Sequence, residues 1–441
     1  MSYRDRLRAR EETAGRPVRV ALVGAGQMGQ GFAAQLVRMP GVALSAVVDI
    51  SLDRARAGLV GAGAVAVDAT GLDAQQRVIE DGGSVAMTEV DHLPALAVDV
   101  VVEATGIPDV GARVALNSLL GGQDVATLNV ESDVTVGALL HRVAAATNSI
   151  YSVCRGDEPV EAKILVDFAR DLSFEVVCAG KGKNNPLDTS ATPESLAARA
   201  HSKGMNPKML TSFVDGSKAM IEMAALANTT GLEVSTRGMH GPKTTVPDLH
   251  RTFALAADGG VLDRPGVVDY CTGPVAPGVF VVVRTDDAYV DHEMTYLQMG
   301  DGPYYALYRP YHLASIEAPL TVYEMVLDRR PSLVSEHWKA EVAAVTKRPL
   351  RAGERIDGVG GSMVRGLIVD AGEFRAERAA PLGVVAGATL VRDIDAETML
   401  TYDDVELDDS STIVTLRKLQ DQLVDGNLPT TATVSRLLGV A

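Results

Sequence analysis

The sequence predicts an α/β protein in three parts: a parallel-sheet N-terminal domain over residues 1–156, a central α+β domain over 157–342 and a β-rich tail over 343–441. Three observations carry this reading. Apolar strand-like runs alternate with helical patterns through the N-terminal part, the mark of βαβ units. Beyond residue 157 the alternation turns irregular and is broken by the glycine-rich stretches "GKGKNNPLD", "RGMHGPK" and "MGDGPYYALYRPYH", of the kind that carry function. The tail, with "VAAVTKRPLRAGERIDGVGG" and "LVRDIDAETMLTYDDVEL", reads as short β runs between small turns.

The first unit opens with "VRVALVGAGQMGQGFAAQL", an apolar strand that passes into a helical pattern through Gly24, Gly26 and Gly29. In this G-x-G-x-x-G spacing Gly24 permits the tight turn, Gly26 lets a pyrophosphate approach the backbone and Gly29 allows close helix packing. Gln27 and Met28 lie between the last two glycines, where helix N-terminal amides face an anion. A second strand, "VALSAVVDI", delivers Asp49 twenty residues after Gly29, the place of a carboxylate that holds a ribose hydroxyl. Asp49 favours NAD, whereas Ser51 and Arg54 in the following "SLDRAR" suit a 2′-phosphate, so the expected cofactor is NAD or NADP. "AVDVVVEATG" reads as a buried parallel strand ending at Glu103, Thr105 and Gly106, and "DVATLNVESD" as another ending at Asn129, Glu131 and Asp133. These strand ends belong to the carboxyl edge at which open α/β sheets bind ligands. "SIYSVCRGDEP" then brings Asp157 and Glu158 ahead of a helix.

Composition narrows the function. The net charge of -16 argues against a general nucleic-acid or anionic-membrane binder, since neutralising phosphates takes surplus Lys and Arg. Cys154, Cys178 and Cys271 lack metal or disulfide spacing, which fits a reducing, cytoplasmic setting. The charged start and the lack of a long apolar run exclude secretion and membrane spanning as expectations.

Lysine usage is uneven. No lysine precedes Lys163, and of ten in the chain six fall between Lys181 and Lys243. Lysine is a compact charge whose pKa burial shifts readily, unlike arginine. In "AGKGKNNPL", Lys181, Lys183 and Asn184 read as a glycine-bearing loop that holds a substrate phosphate or carboxylate. "MLTSFVDGSKAMIEMAALAN" reads as one helix with Asp215, Lys218 and Glu222 on one face. Among the histidines, only His240 in "RGMHGPK" reads as a candidate; His201 and His250 read as ordinary surface or core residues.

Taken in order, the glycine turn, "VVEATG", "LNVESDV", "GDEP", "AGKGKNNP" and "FVDGSK" resemble the oxidoreductases related to homoserine dehydrogenase that include the deoxyxylulose phosphate reductoisomerase-like proteins. "DIDAETMLTYDDVEL" is similar to the SAF domain fused to them. The resemblance implies a Rossmann domain, a catalytic and dimerisation domain, and a homodimer. It implies that Asp215 and Lys218 handle the substrate's hydroxyl proton, and that Asp157 and Glu158 form part of a divalent-metal site with Glu158 near the chemistry. Two departures stand out: Asn129 is followed by Val130 where homoserine dehydrogenases carry a lysine, and adjacent carboxylates on one strand face opposite sides unless the backbone turns.

The expected function is an NAD(P)-dependent oxidoreductase acting on a small, phosphorylated sugar or polyol. Lys218 is the proton-transfer group, oriented by Asp215. Its sharpest version is a reductoisomerase making 2-C-methylerythritol 4-phosphate from 1-deoxyxylulose 5-phosphate. The rival is a non-catalytic dinucleotide sensor or sugar-binding protein that recruits a partner through its tail.

Overall fold

The computed structural model describes residues 1–424, in two compact units. The first comprises Met1–Asp157, Leu313–Val334 and the chain from Asp409; the second comprises Glu158–His312 and Ser335–Asp408. Compactness therefore divides the described chain into two units, whereas the strand and helix pattern of the sequence suggests three parts.

The first unit is built on a seven-stranded, wholly parallel sheet: β1 (Val18–Val23), β2 (Val42–Val48), β3 (Ala66–Val67), β4 (Ser84–Met87), β5 (Val100–Glu103), β6 (Asp124–Thr127) and β7 (Tyr151–Val153). Its order is β3-β4-β2-β1-β5-β6-β7. The chain leaves β1 toward β2 on one side and returns to β5 on the other, so the topological switch point lies between β1 and β5. Apart from the half-buried Arg19, the β1 residues are apolar and buried, as a central parallel strand requires. The helix Thr412–Val424 packs on the helices Pro108–Leu120 and Val130–Ala146 of this unit; Gln420 bonds the Thr135 carbonyl and the Leu139 N–H.

The second unit carries a mixed five-stranded sheet in the order β12-β11-β8-β10-β9, formed by β8 (Glu175–Lys183), β9 (Glu233–Val234), β10 (Val267–Thr272), β11 (Val279–Arg284) and β12 (Tyr304–Arg309). β10 runs parallel to β8 and β9, whereas β11 is antiparallel to β8 and β12. The helices Glu158–Asp171 and Ser217–Thr230 pack on this sheet. All but one residue of Ser217–Thr230 are buried, so the helix is covered on nearly every side. An antiparallel pair, β13 (Ala340–Thr346) and β14 (Val364–Asp370), also packs on that helix. At Gly366 the backbone approaches it closely, and the Gly366 N–H donates to Ser217 Oγ at 2.8 Å.

The tail contains less β structure than its sequence suggests. Besides β13 and β14 it forms only the two-residue strands β15 (Thr389–Leu390) and β16 (Val405–Glu406) among the described residues. Isolated bridges such as Val345 with Met399 tie its remaining segments together, where turn residues interrupt the short apolar runs. The rest of the expected module, 425–441, lies outside the described residues. No described helix is long and apolar enough to cross a membrane.

Candidate functional site

In the first unit the glycine turn lies at the carboxyl end of β1. Gly24 has φ +96, and a Cβ there would come within 2.8 Å of the Ala104 carbonyl carbon at the end of β5, so a side chain is excluded by both conformation and space. Gly26 is the N-cap of the helix Gln27–Leu36 without a side-chain cap, and nothing lies within 4 Å of its hypothetical Cβ. Gly29 is packed differently, since a Cβ there would meet the Gly24 carbonyl oxygen at 1.9 Å. The three glycines thus do three jobs, and only Gly26 opens onto free space. Gln27 is exposed and Met28 half-buried beside it.

Asp49, just beyond β2, accepts the Ala25 N–H at 2.9 Å, the Ser51 N–H at 3.0 Å and Arg54 Nε at 2.9 Å. Burial pushes this carboxyl up, but those bonds outweigh it and hold Asp49 below the usual carboxylate range. Ser51 is spent as the N-cap of the helix Leu52–Gly61, and Arg54 is ion-paired with Asp49. Thr105 is half-buried and Gly106 exposed.

Glu103 and Asn129, expected to line a cofactor, are inaccessible to solvent. Glu103 accepts the Thr105 N–H at 2.7 Å and the Thr127 hydroxyl at 3.3 Å, and burial pushes its carboxyl up. Asn129 caps the helix Val130–Ala146 by accepting the Ser132 N–H. The strand β6 ends at Thr127, so Glu131 and Asp133 fall in that helix's first turn rather than at a strand end.

The second unit gathers the lysines, but not on a loop. Lys181 and Lys183 are in β8 and buried, on one strand face two residues apart. The intervening glycines are there for crowding: a Cβ on Gly180 would meet the Asp269 carbonyl oxygen at 1.9 Å, and one on Gly182 the Ala276 nitrogen at 2.3 Å. The stretch expected to be a glycine-bearing loop is therefore a strand. Asn184, just past the strand, is exposed.

Lys181 Nζ donates to Glu158 Oε1 at 2.6 Å and to Glu222 Oε2. His312 Nε2 stands 3.2 Å from Glu158 Oε1, and Lys218 Nζ 3.8 Å from Glu222 Oε1. Burial opposes the Lys181 charge, yet the two carboxylates raise its pKa and keep it an ammonium. Burial and the neighbouring Glu158 push Glu222 up. Lys183 is different: burial, then the Lys181 charge, lower it to about 8. Its Nζ donates to the Asn185 carbonyl at 2.6 Å, with the Pro186 carbonyl at 3.4 Å.

The long expected helix is two helices, Pro207–Val214 and Ser217–Thr230, separated at Gly216 with φ +91. The break turns Asp215 off the Lys218 face. Asp215 Oδ2 instead lies 2.7 Å from Lys347 Nζ, with both side chains buried, so its pairing is not the one expected. Asp157 and Glu158 also depart from expectation. The backbone turns at Gly156, φ +83, and Glu158 opens the helix Glu158–Asp171, so the opposite-face objection for a strand lapses. Asp157 is one peptide bond from Glu158, and oxygens of Asp157, Glu158 and Glu222 come within 4.8 Å of one another. In chemistry and spacing three carboxylates suit a hard divalent cation, but Lys181 Nζ already bridges two of them.

His240 forms a second arrangement. Asp269, fully buried in β10, accepts His240 Nδ1 at 2.8 Å and the Gly241 N–H at 3.0 Å, which raises the imidazole's pKa. His312 and Lys347 are absent from the sequence-based site, whereas Glu222 is in it as a member of the Asp215, Lys218 and Glu222 face. Glu222 was legible by its helical spacing from Lys218, but nothing local distinguishes His312 or Lys347.

Residues 156–318 match the family model "Oxidoreductase DRL, catalytic domain". No curated protein matches the chain. Solved structures with partial likeness include a DOX-P reductoisomerase with fosmidomycin and magnesium, 14% identical with a TM-score of 0.41, covering 70% of this chain and 69% of that one. GenD2 from gentamicin A biosynthesis in complex with NAD is 15% identical with a TM-score of 0.37, covering 71% and 88%. The scyllo-inositol dehydrogenase of Lactobacillus casei, with NAD(H) and scyllo-inositol, is 14% identical with a TM-score of 0.35, covering 61% and 74%. The family match, joined to a dinucleotide-type turn at the switch point of a parallel sheet, makes this chain an NAD(P)-dependent oxidoreductase.

Proposed function

We propose that the chain oxidises or reduces a small anionic sugar or polyol, with Lys183 as the proton-transfer group. The observation that carries this is the buried Lys183, whose pKa of about 8 lies within the matched catalytic segment. A group that ionises near the working pH both gives and takes a proton readily. A bound nicotinamide dinucleotide supplies or accepts the hydride. Lys183 as ammonium donates its proton to the alkoxide formed by reduction; as free amine it takes the hydroxyl proton during oxidation. Lys218, part-exposed beside Glu222, is assigned to the substrate's anionic group in place of Lys181, whose charge two carboxylates already claim. This exchanges the roles expected for Lys218 and Lys183. Asp49, ionised and fixed beside the glycine turn, favours NAD over NADP because it repels a 2′-phosphate.

A second reading rests on the Asp157, Glu158 and Glu222 cluster. These carboxylates would hold a magnesium-like ion, which polarises adjacent substrate oxygens as a skeletal rearrangement to 2-C-methylerythritol 4-phosphate needs. The homoserine dehydrogenase-like relationship, the three-domain boundaries, the SAF-like tail, the homodimer and a cytoplasmic setting belong to the same proposal.

The test follows reduced-nicotinamide absorbance with NAD(H) and NADP(H) over a panel of phosphorylated four- and five-carbon sugars. Lys183→Met should lower kcat by roughly 10²- to 10⁴-fold. Near-normal kcat in that variant would remove the assignment. The metal reading requires activity to fall with a strong chelator and return with magnesium.

A further inference from the structure

We propose that Lys347, contributed by β-rich tail sequence, is a positioning residue for the lysine cluster: it ties the Asp215 carboxylate and the segment after β8 into one node and so sets the charge state of Lys183. The inference rests on the reading of Lys183 as the proton-transfer group.

The geometry is that of a buried ammonium held by two carbonyls and one carboxylate. Lys347 Nζ is 2.7 Å from Asp215 Oδ2, and it donates to the Ala191 carbonyl at 2.7 Å and the Gly361 carbonyl at 2.7 Å. Two of its protons go to carbonyl oxygens, and its charge faces the Asp215 carboxylate, a compact arrangement that an arginine fork cannot reproduce. The Lys347 side chain is 2% exposed and that of Asp215 0%, so water does not share the interaction. Each acceptor lies in a segment that matters to the cluster. Asp215 Oδ1 accepts the Ser217 N–H at 2.8 Å, fixing the start of the helix that carries Lys218 and Glu222. Ala191 closes the segment whose Asn185 and Pro186 carbonyls receive Lys183, and the Asp188 N–H in it donates to the Val214 carbonyl at 3.0 Å. Gly361 stands in the loop between β13 and β14. That loop meets the helix Pro207–Val214, where a Cβ on Gly360 would fall 2.1 Å from the Lys208 carbonyl oxygen. Ser362 Oγ donates to Glu194 at 2.9 Å as a further tie.

The node also bears on charge. The charged groups acting on Lys183 are Lys181 from its own strand, Arg199 from the helix Pro193–Ser202 and Asp215 from the helix junction. The first two lower its pKa, and Asp215 alone raises it. Lys347 neutralises Asp215 and thereby keeps Lys183 nearer neutrality. Removing the Lys347 charge should leave Asp215 free to hold Lys183 protonated to higher pH. Removing the Asp215 charge should do the opposite and expose Lys183 to an unpaired Lys347.

The experiment titrates the full-length protein with ¹³Cε-labelled lysines by NMR, assigning Lys183 among the ten with Lys183→Met. A kcat pH profile accompanies each titration. Lys347→Met should raise the Lys183 midpoint by about one unit, Asp215→Asn should lower it by a similar amount, and the double variant should return it near wild type. General loosening would instead hydrate Lys183 and raise its midpoint in both single variants. Upward shifts in both, or none in either, would overturn the proposal. If the NMR midpoints move as expected but the activity limb ignores them and survives Lys183→Met, the Lys183 assignment fails while the positioning of that lysine stands.

Discussion

Replacing Gly26 with aspartate separates folding from dinucleotide binding. Gly26 has φ -74 and ψ -170, ordinary extended geometry for any residue, and nothing lies within 4 Å of its hypothetical Cβ. It is an N-cap without a side-chain bond, and aspartate is among the best N-cap residues, so Gly26→Asp should hold or raise stability by a few tenths of a kcal/mol. The new carboxylate, however, enters the space a pyrophosphate would use. Two unit charges about 4–5 Å apart repel by roughly 3–4 kcal/mol at an effective dielectric of about 20. Rotation away from the phosphates recovers part of this. The expected outcome is a Kd for NAD(H) raised by about tenfold at least and toward 10²-fold, with an unchanged melting curve. Calorimetric titration with NADH, paired with thermal unfolding, measures both. Gly29→Ala is the contrasting control, because its Cβ would strike the Gly24 carbonyl oxygen at 1.9 Å. That variant should lose about 1–3 kcal/mol of stability even though alanine is the better helix former. Unchanged NADH affinity in a folded Gly26→Asp protein would refute the role assigned to this turn.

Other outcomes are expected. Lys181→Met leaves Glu158 and Glu222 facing each other without their shared cation, and should cost about 3–5 kcal/mol in urea unfolding; a loss below about 1 kcal/mol would show that the triad is not structural. Asp49→Asn should move the NAD-to-NADP preference toward NADP by about tenfold in Kd ratio, read by fluorescence titration with each cofactor, since Arg54 is then released from its partner. The Asp269 hydrogen bond raises the His240 pKa, so its contribution is fully present below the unfolded-state value and fades as pH rises through the folded one. Wild type should therefore exceed His240→Gln in stability most at pH 5.5 and least at pH 8.5, and an equal gap at both would count against the ion pair.

The sequence alone determined what depends on neighbours along the chain. The glycine spacing from Gly24 to Gly29 and the placement of Asp49 were legible because a βαβ turn uses residues within one short stretch. The apolar runs of β1 and β5 announced buried parallel strands for the same local reason. Lysine crowding between Lys181 and Lys243 was legible, although not the buried strand on which Lys181 and Lys183 sit. What failed was what distant segments decide. The glycines of β8 look like a loop until Asp269 and Ala276 press against them, and the αL turn at Gly216 divides a pattern that periodicity alone continues as one helix. Asp215 looks like the partner of Lys218, three residues away, but it is claimed by Lys347, more than a hundred residues later. The charge state of a buried lysine depends on which carboxylates the fold brings within a few ångströms and how much water it excludes, because Coulomb interactions strengthen as the local dielectric falls. Only the tertiary structure could thus distinguish Lys181, held as an ammonium by Glu158 and Glu222, from Lys183, whose pKa burial lowers to about 8 two residues away.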